Sequence, residues 1–253
     1  MFRPRIIPVL LLSNKGLVKS VQFKKHRYIG DPINAVKIFN DLRADELVFL
    51  DILAGKENRI ILQDFVKKVG EEANMPFAVG GGLKSLEDIR KILNAGAEKV
   101  ILNTSAGTNP DFVSLAADAF GSSTIVVCID VKKRKFGKLE VWLRGGTKPT
   151  GISPVEYAAI MEKKGAGEII VQSIEKDGTM SGYDIDLVRS ISETVTIPVV
   201  ALGGAGELLH MKQVNQSAYA NGLAAGSMFV YHGPRKGILI NHPSKEEIQN
   251  LFK

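Results

Sequence analysis

Val79-Gly80-Gly81-Gly82 closes one apolar run of this chain, and Leu202-Gly203-Gly204-Ala205 closes another. A small polar turn follows each of them one run later, Asn103-Thr104 after the first and Gly226-Ser227 after the second. Both features recur at an offset of 123 residues, about half of the 253-residue chain. Phe49–Ile52 against Val171–Ile174 repeats at 122. So long a period is not that of a solenoid; one half of a domain has been copied onto the other.

Outward from these turns, short β-branched runs alternate with amphipathic helical stretches. The expected strands are Arg5–Leu10, Glu46–Ile52, Pro76–Gly80, Lys99–Asn103, Thr124–Asp130, Glu168–Ser173, Pro198–Gly203 and Gly222–Gly226. Runs as apolar as Ile125–Ile129 require burial on both faces, as in a parallel sheet. Helix starts lie between them. Asp31-Pro32 offers an N-cap followed by proline at the first helical position, and Ser153-Pro154-Val155-Glu156 adds a capping box to that device. Ser244-Lys245-Glu246-Glu247 opens the last helix. Eight βα units in two like halves predict an α/β fold, a single (βα)8 TIM barrel spanning residues 1–253; an open doubly wound sheet is the alternative.

The composition, 45% apolar and 24% charged, is that of an ordinary globular protein long enough to bury a core. The net charge of +6 is spread along the chain, densest in Lys24-Lys25-His26-Arg27 and Lys132-Lys133-Arg134-Lys135. That distribution favours an anionic small molecule over a nucleic acid. Cys128 is the only cysteine, which excludes a disulfide framework and a cysteine-based zinc site and suits a reducing cytosol. No metal and no cofactor are expected. The apolar run Ile6–Leu12, broken by Pro8, is too short to span a bilayer and reads as a buried strand, so a cytoplasmic protein without membrane insertion is expected.

Glycine turns at strand ends bare backbone N–H groups to an anion, and a helix N-terminus behind them adds a favourable dipole. One candidate phosphate site comprises Asp177, Gly178, Gly204, Gly226 and Ser227, and its duplicate comprises Gly82, Asn103 and Thr104. Any one glycine explains no more than a tight turn; the set occurring twice at one spacing points to phosphate. Two sites across one barrel mouth imply a substrate phosphorylated at both ends. Asp51 and Asp130 fall at strand C-termini, where barrels place reactive groups, although either alone could equally cap a helix. Arg5, Glu46, Lys99 and Glu168 fall at strand starts, where four alternating charges can pair into a ring or simply face solvent.

Along nearly the whole chain these residues resemble the cyclase subunit family of imidazole glycerol phosphate synthase, and more distantly its sister isomerase of histidine biosynthesis. The resemblance is carried by Arg5-Ile-Ile-Pro8, Val18-Lys-Ser-Val-Gln-Phe23, Ala44-Asp-Glu-Leu-Val-Phe-Leu-Asp-Ile52, Val79–Ser85, Ile129-Asp130, Gly145–Gly151, Gly165-Ala-Gly-Glu-Ile169, Asp177-Gly-Thr179, Ser181–Asp184 and Gly203-Gly-Ala-Gly206. It implies that a partner glutaminase subunit, docked on the N-terminal face of the barrel, releases ammonia that crosses to the mouth. There a bis-phosphorylated ribulosyl-formimino-carboxamide nucleotide is cleaved and cyclised. By the same resemblance Asp130 is the general base and Lys19 part of a mobile first loop, while Asp51, from its place at a strand C-terminus, is a further catalytic candidate. Arg5, Glu46, Lys99 and Glu168 correspond to the ammonia gate.

The departures bear on chemistry. The cyclase pattern has a general-acid aspartate where this chain has Leu11, which has no proton to give. Leu53 and Leu202 replace a usual threonine and serine, and Gln172 stands where threonine is common. Losing a positioned acid costs about 10²–10⁴-fold in rate. A kept gate with an altered mouth resembles divergent copies of this family that work beside a glutaminase and a sugar amidotransferase in surface-polysaccharide synthesis; a working cyclase is the alternative.

Overall fold

The computed structural model describes residues 3–14, 16–134 and 137–253; Lys135 of the second basic run lies outside them. In the first half, β1 (Arg5–Ser13) runs into β2 (Gly16–Val21) and β3 (Lys24–Gly30). Then follow α1 (Pro32–Asp41), β4 (Leu47–Asp51), α2 (Gln63–Glu72), β5 (Phe77–Gly80), α3 (Leu86–Asn94), β6 (Lys99–Leu102), α4 (Thr104–Thr108) and α5 (Asp111–Phe120). The second half has β7 (Ile125–Lys133), β8 (Leu139–Leu143), β9 (Lys148–Pro149), α6 (Pro154–Lys163), β10 (Glu168–Ser173) and α7 (Ile185–Ser192). It ends with β11 (Val199–Leu202), α8 (Leu208–Ala218), β12 (Gly222–Ala225), β13 (Tyr231–His232), β14 (Gly237–Ile238) and α9 (Lys245–Leu251).

Eight parallel strands pair in the order β1-β4-β5-β6-β7-β10-β11-β12, and β12 returns to β1 with Ile6 beside Leu223. The sheet is closed, which rules out the open alternative. Strand alternation sorts the side chains into two cores. Ile7, Val9, Val48, Ala78, Ile101, Val126, Cys128, Ile170, Val200 and Ala224 fill the interior. Their neighbours Ile6, Leu10, Phe49, Val127, Ile129 and Val171 pack outward beneath the helices. Each such fully buried aliphatic side chain contributes about 1.5–3 kcal/mol relative to exposure. The duplication is visible in β1 and β7, both nine residues long and each continued by an antiparallel partner.

All eight expected strands form, with ends shifted by up to three residues at β1 and β7. Those two extensions begin hairpins absent from the sequence reading. Lys19, expected in the first loop, lies on β2 of a hairpin that follows β1, paired with β1 and β3. Asp31 caps α1 by accepting from the Asn34 N–H at 2.9 Å, with Pro32 at the first turn. Ser153 caps α6, but the reciprocal bond from Glu156 that a full capping box requires is not made. Ser244 with Glu247, and Ser85 with Asp88, do form complete boxes. Among the described residues no helix is long and apolar enough to cross a membrane.

Candidate functional site

The first residues of β1, β6 and β10 and the residue just before β4 meet at the N-terminal end of the barrel. Arg5 binds Glu46 with one guanidinium nitrogen and Glu168, at 2.7 Å, with the other. Lys99 Nζ lies 3.1 Å from Glu46 and 2.8 Å from Glu168, which closes the ring. Both carboxylates are buried, and the two cations neutralise them. Burial works against the Arg5 charge, but Glu168 and Glu46 outweigh it and raise the guanidinium pKa. The solvated alternative for these four residues therefore does not apply.

A cavity opens at the other end of the barrel, where Val9, Leu11, Leu50, Cys128 and Leu202 make an apolar floor. Lys19, Asp130, Gln172, Asp177, Gly178, Gly204, Gly226 and Ser227 supply its polar walls. Lys19 is fully enclosed; its Nζ donates to the Val9 carbonyl at 2.5 Å, and burial lowers its pKa to about 8 against the pull of Asp177. A Cβ on Gly226 would stand 2.6 Å from that nitrogen, so glycine there gives the ammonium its place. Burial pushes the Asp130 carboxyl up to about 7, Asp177 adds to the rise, and hydrogen bonds with Asn103 and Cys128 hold it back.

The β2–β3 hairpin forms one wall of the cavity through Lys19, Ser20 and Phe23. Ser20 Oγ donates to Asp177 Oδ2 at 2.8 Å, the Phe23 N–H donates to the same oxygen at 3.3 Å, and the Gln22 N–H donates to the Asp177 carbonyl. Gly178 is held closely enough to the Ser20 carbonyl that a Cβ would stand 2.2 Å from it. Burial raises the Asp177 pKa, which Ser20, Phe23, Lys19 and His26 partly offset.

The duplicate half differs. Gly82, Asn103 and Thr104 do not line this cavity. Asn103 Nδ2 donates to the Cys128 carbonyl at 2.9 Å, and Thr104 Oγ1 accepts from the Arg144 N–H at 3.1 Å. Asp51, read as a mouth carboxylate, does not line the cavity either. One oxygen accepts from the Leu53 and Ala54 N–H groups and the other binds Arg59 at 2.5 Å, so the side chain fastens its own loop. The turn reading weighed for an isolated aspartate describes this geometry. Sequence reasoning missed Arg59, Ser20 and Phe23, because each is recruited by a partner far along the chain or by an irregular loop. No group of three or more histidine, cysteine, aspartate or glutamate residues suited to a metal occurs among the described residues.

A closed, half-duplicated (βα)8 barrel with an ionic ring at its foot and a glycine-walled cavity at its mouth is the class these features define. Residues 5–234 match the family model described as histidine biosynthesis protein, and the chain belongs to that family. A relative from Leptospira borgpetersenii, provisionally named imidazole glycerol phosphate synthase subunit HisF, is 46% identical over 253 residues, the full length of both chains. Relatives from Vibrio vulnificus and Pseudomonas aeruginosa, with the provisional names subunit hisF3 and subunit hisF2, are 43% and 41% identical over 248 residues. Those matches cover 98% of this chain and 95% and 99% of theirs.

Proposed function

We propose that this chain is the barrel subunit of a glutamine-dependent assembly in the cytoplasm. In this reading a glutaminase subunit docks on the N-terminal face, and its ammonia enters through Arg5, Glu46, Lys99 and Glu168. The ammonia leaves at the mouth for a sugar-amidation step instead of being built into an imidazole ring. The observation that carries the reading is Leu11, which with Leu50 and Leu202 forms an apolar floor above a complete ionic ring.

The residues support a division of labour. Lys99, a flexible side chain held through a single nitrogen, is the member of the ring that can swing aside with least loss. Beyond the ring the interior is apolar, with the small Ala78 and Ala224, so it admits neutral ammonia and penalises ammonium. At the mouth Asp130, with a pKa of about 7, can give or take a proton, but Leu11 offers it no second group. Lys19 with Gly204, Gly226 and Ser227 forms a site for one phosphate, and Gly82, Asn103 and Thr104 are the corresponding groups for a second.

An active cyclase is the second reading, favoured by the retention of Asp130 and Lys19 in one cavity. Purified protein supplied with the bis-phosphorylated nucleotide and concentrated ammonium salt separates the two. The proposal expects no imidazole glycerol phosphate from the native chain and measurable turnover from Leu11→Asp. Turnover by the native chain at a rate that Leu11→Asp does not improve removes it.

A further inference from the structure

Two hairpins meet at the rim of the mouth. Arg27 of β3 donates to the Lys236 carbonyl at 3.4 Å and lies over the Tyr231 ring at 5.7 Å, so β3 and the β13–β14 hairpin form one continuous surface. The same two chain segments supply the cavity wall, through Lys19, Ser20 and Phe23 on one side and Gly226 and Ser227 on the other. β3 pairs with β2 alone, which leaves its second edge open. On this rim Tyr28 is 65%, Ile238 45% and Leu239 55% exposed. Lys24, Lys25, Arg27, Arg235 and Lys236 surround them, all exposed, and none joins an ion pair among the described residues.

Lysines on an open strand edge ordinarily keep that edge from pairing with other chains. That role accounts for Lys24 and Lys25, but not for the exposed aliphatic pair on the adjoining hairpin or its own unpaired cations. Arginine and tyrosine beside exposed aliphatic groups are the composition of a protein interface core. A nucleic acid would call for cations tracking a backbone and has no use for Ile238 and Leu239. The occupant complementary to this rim is therefore a protein with an acidic face that carries apolar positions.

We propose that this rim docks the enzyme that accepts the ammonia, an inference that rests on the conduit reading above. Ammonia released into open water would be protonated and diluted, so its acceptor must cover the mouth, and this rim borders the cavity on the side walled by Lys19, Ser20 and Phe23. The test places a photo-crosslinking residue at Leu239→benzoylphenylalanine, and in a second strain at Tyr28→benzoylphenylalanine, in the cell of origin. Any captured protein is then purified and tested with the intact glutaminase–barrel complex. The expected result is an enzyme that takes up the amide nitrogen of glutamine only when that complex is present. Its affinity should fall at least tenfold with Arg27→Glu and Lys236→Glu combined, while glutaminase binding is unchanged. Capture of nucleic acid, capture of a second copy of this chain, or no capture at either position overturns the proposal. Failure of the native barrel to bind or activate the glutaminase would instead overturn the conduit reading itself.

Discussion

Lys99 Nζ stands 2.8 Å from the Glu168 carboxylate across the N-terminal end of the barrel, and with its 3.1 Å contact to Glu46 it completes the ionic ring. Removing one member of a buried ion-paired set leaves charge uncompensated. In Lys99→Ala the two glutamates would share Arg5 alone. The side chain of Lys99 is 20% exposed, so the expected loss is about 2–3 kcal/mol, below the range for fully buried pairs. Urea unfolding reads that loss. Ammonia delivery to the mouth should fall while glutamine hydrolysis by the partner continues.

Asp130 gives the protein a pH dependence of unusual sign. Its carboxyl keeps a proton up to about pH 7 in the fold, whereas an unfolded aspartate releases it near pH 4. Between those values the folded chain binds the extra proton, so stability falls as pH rises, by about 1.4 kcal/mol per unit, and levels off above 7. Asp130→Asn should flatten this slope and be the more stable protein at pH 8. Unfolding midpoints of the two proteins from pH 4 to 8 check it; parallel curves would show that Asp130 is not the group responsible.

Lys19 belongs to the phosphate site proposed at the mouth. Its pKa of about 8 reflects burial, and a phosphate beside Gly226 would restore the charged form. Inorganic phosphate should therefore bind with proton uptake at pH 8–9 and more weakly at pH 9.5 than at pH 7. Calorimetry in buffers of different ionisation enthalpy measures the uptake. Lys19→Met should abolish it and weaken binding about tenfold, in keeping with the roughly 1.5–3 kcal/mol of a hydrogen bond to a charged group.

Two glycines of the proposed cradle should respond differently to alanine. At Gly226 the added methyl group meets the flexible end of Lys19 at 2.6 Å and the Val9 carbonyl oxygen at an ordinary 3.5 Å. At Gly204 it meets the Gly182 carbonyl oxygen at 2.1 Å, and the backbone has φ +110°. Gly226→Ala is expected to lose phosphate affinity with less than about 1 kcal/mol of stability, and Gly204→Ala to lose about 2–3 kcal/mol through strain. Thermal unfolding with and without phosphate distinguishes them.

The barrel was legible in the sequence because two local signals agreed: apolar runs buried on both faces, and glycine turns repeated at half the chain length. The ring residues could be placed because strand alternation puts Arg5, Glu46, Lys99 and Glu168 at one level. What escaped were the hairpins grafted on β1, β7 and β12, whose strands read as exposed or basic loops; β3 is Lys-Lys-His-Arg-Tyr-Ile-Gly. Asp51 was legible as the end of its strand, but nothing near it announces that Arg59, eight residues on, folds back to bind it. The wall formed by Ser20 and Phe23 is fastened by Asp177, more than 150 residues away, and such a contact leaves no local pattern.

On the proposed function, ammonia passage survives in this chain while cyclisation does not. The most direct test gives the assembled glutaminase–barrel complex amide-15N glutamine together with the bis-phosphorylated nucleotide, and follows the label by mass spectrometry. The predicted result is 15N released as ammonium, faster with the barrel than without it, and none in an imidazole ring. Labelled imidazole glycerol phosphate formed at the rate of glutamine hydrolysis would contradict the account.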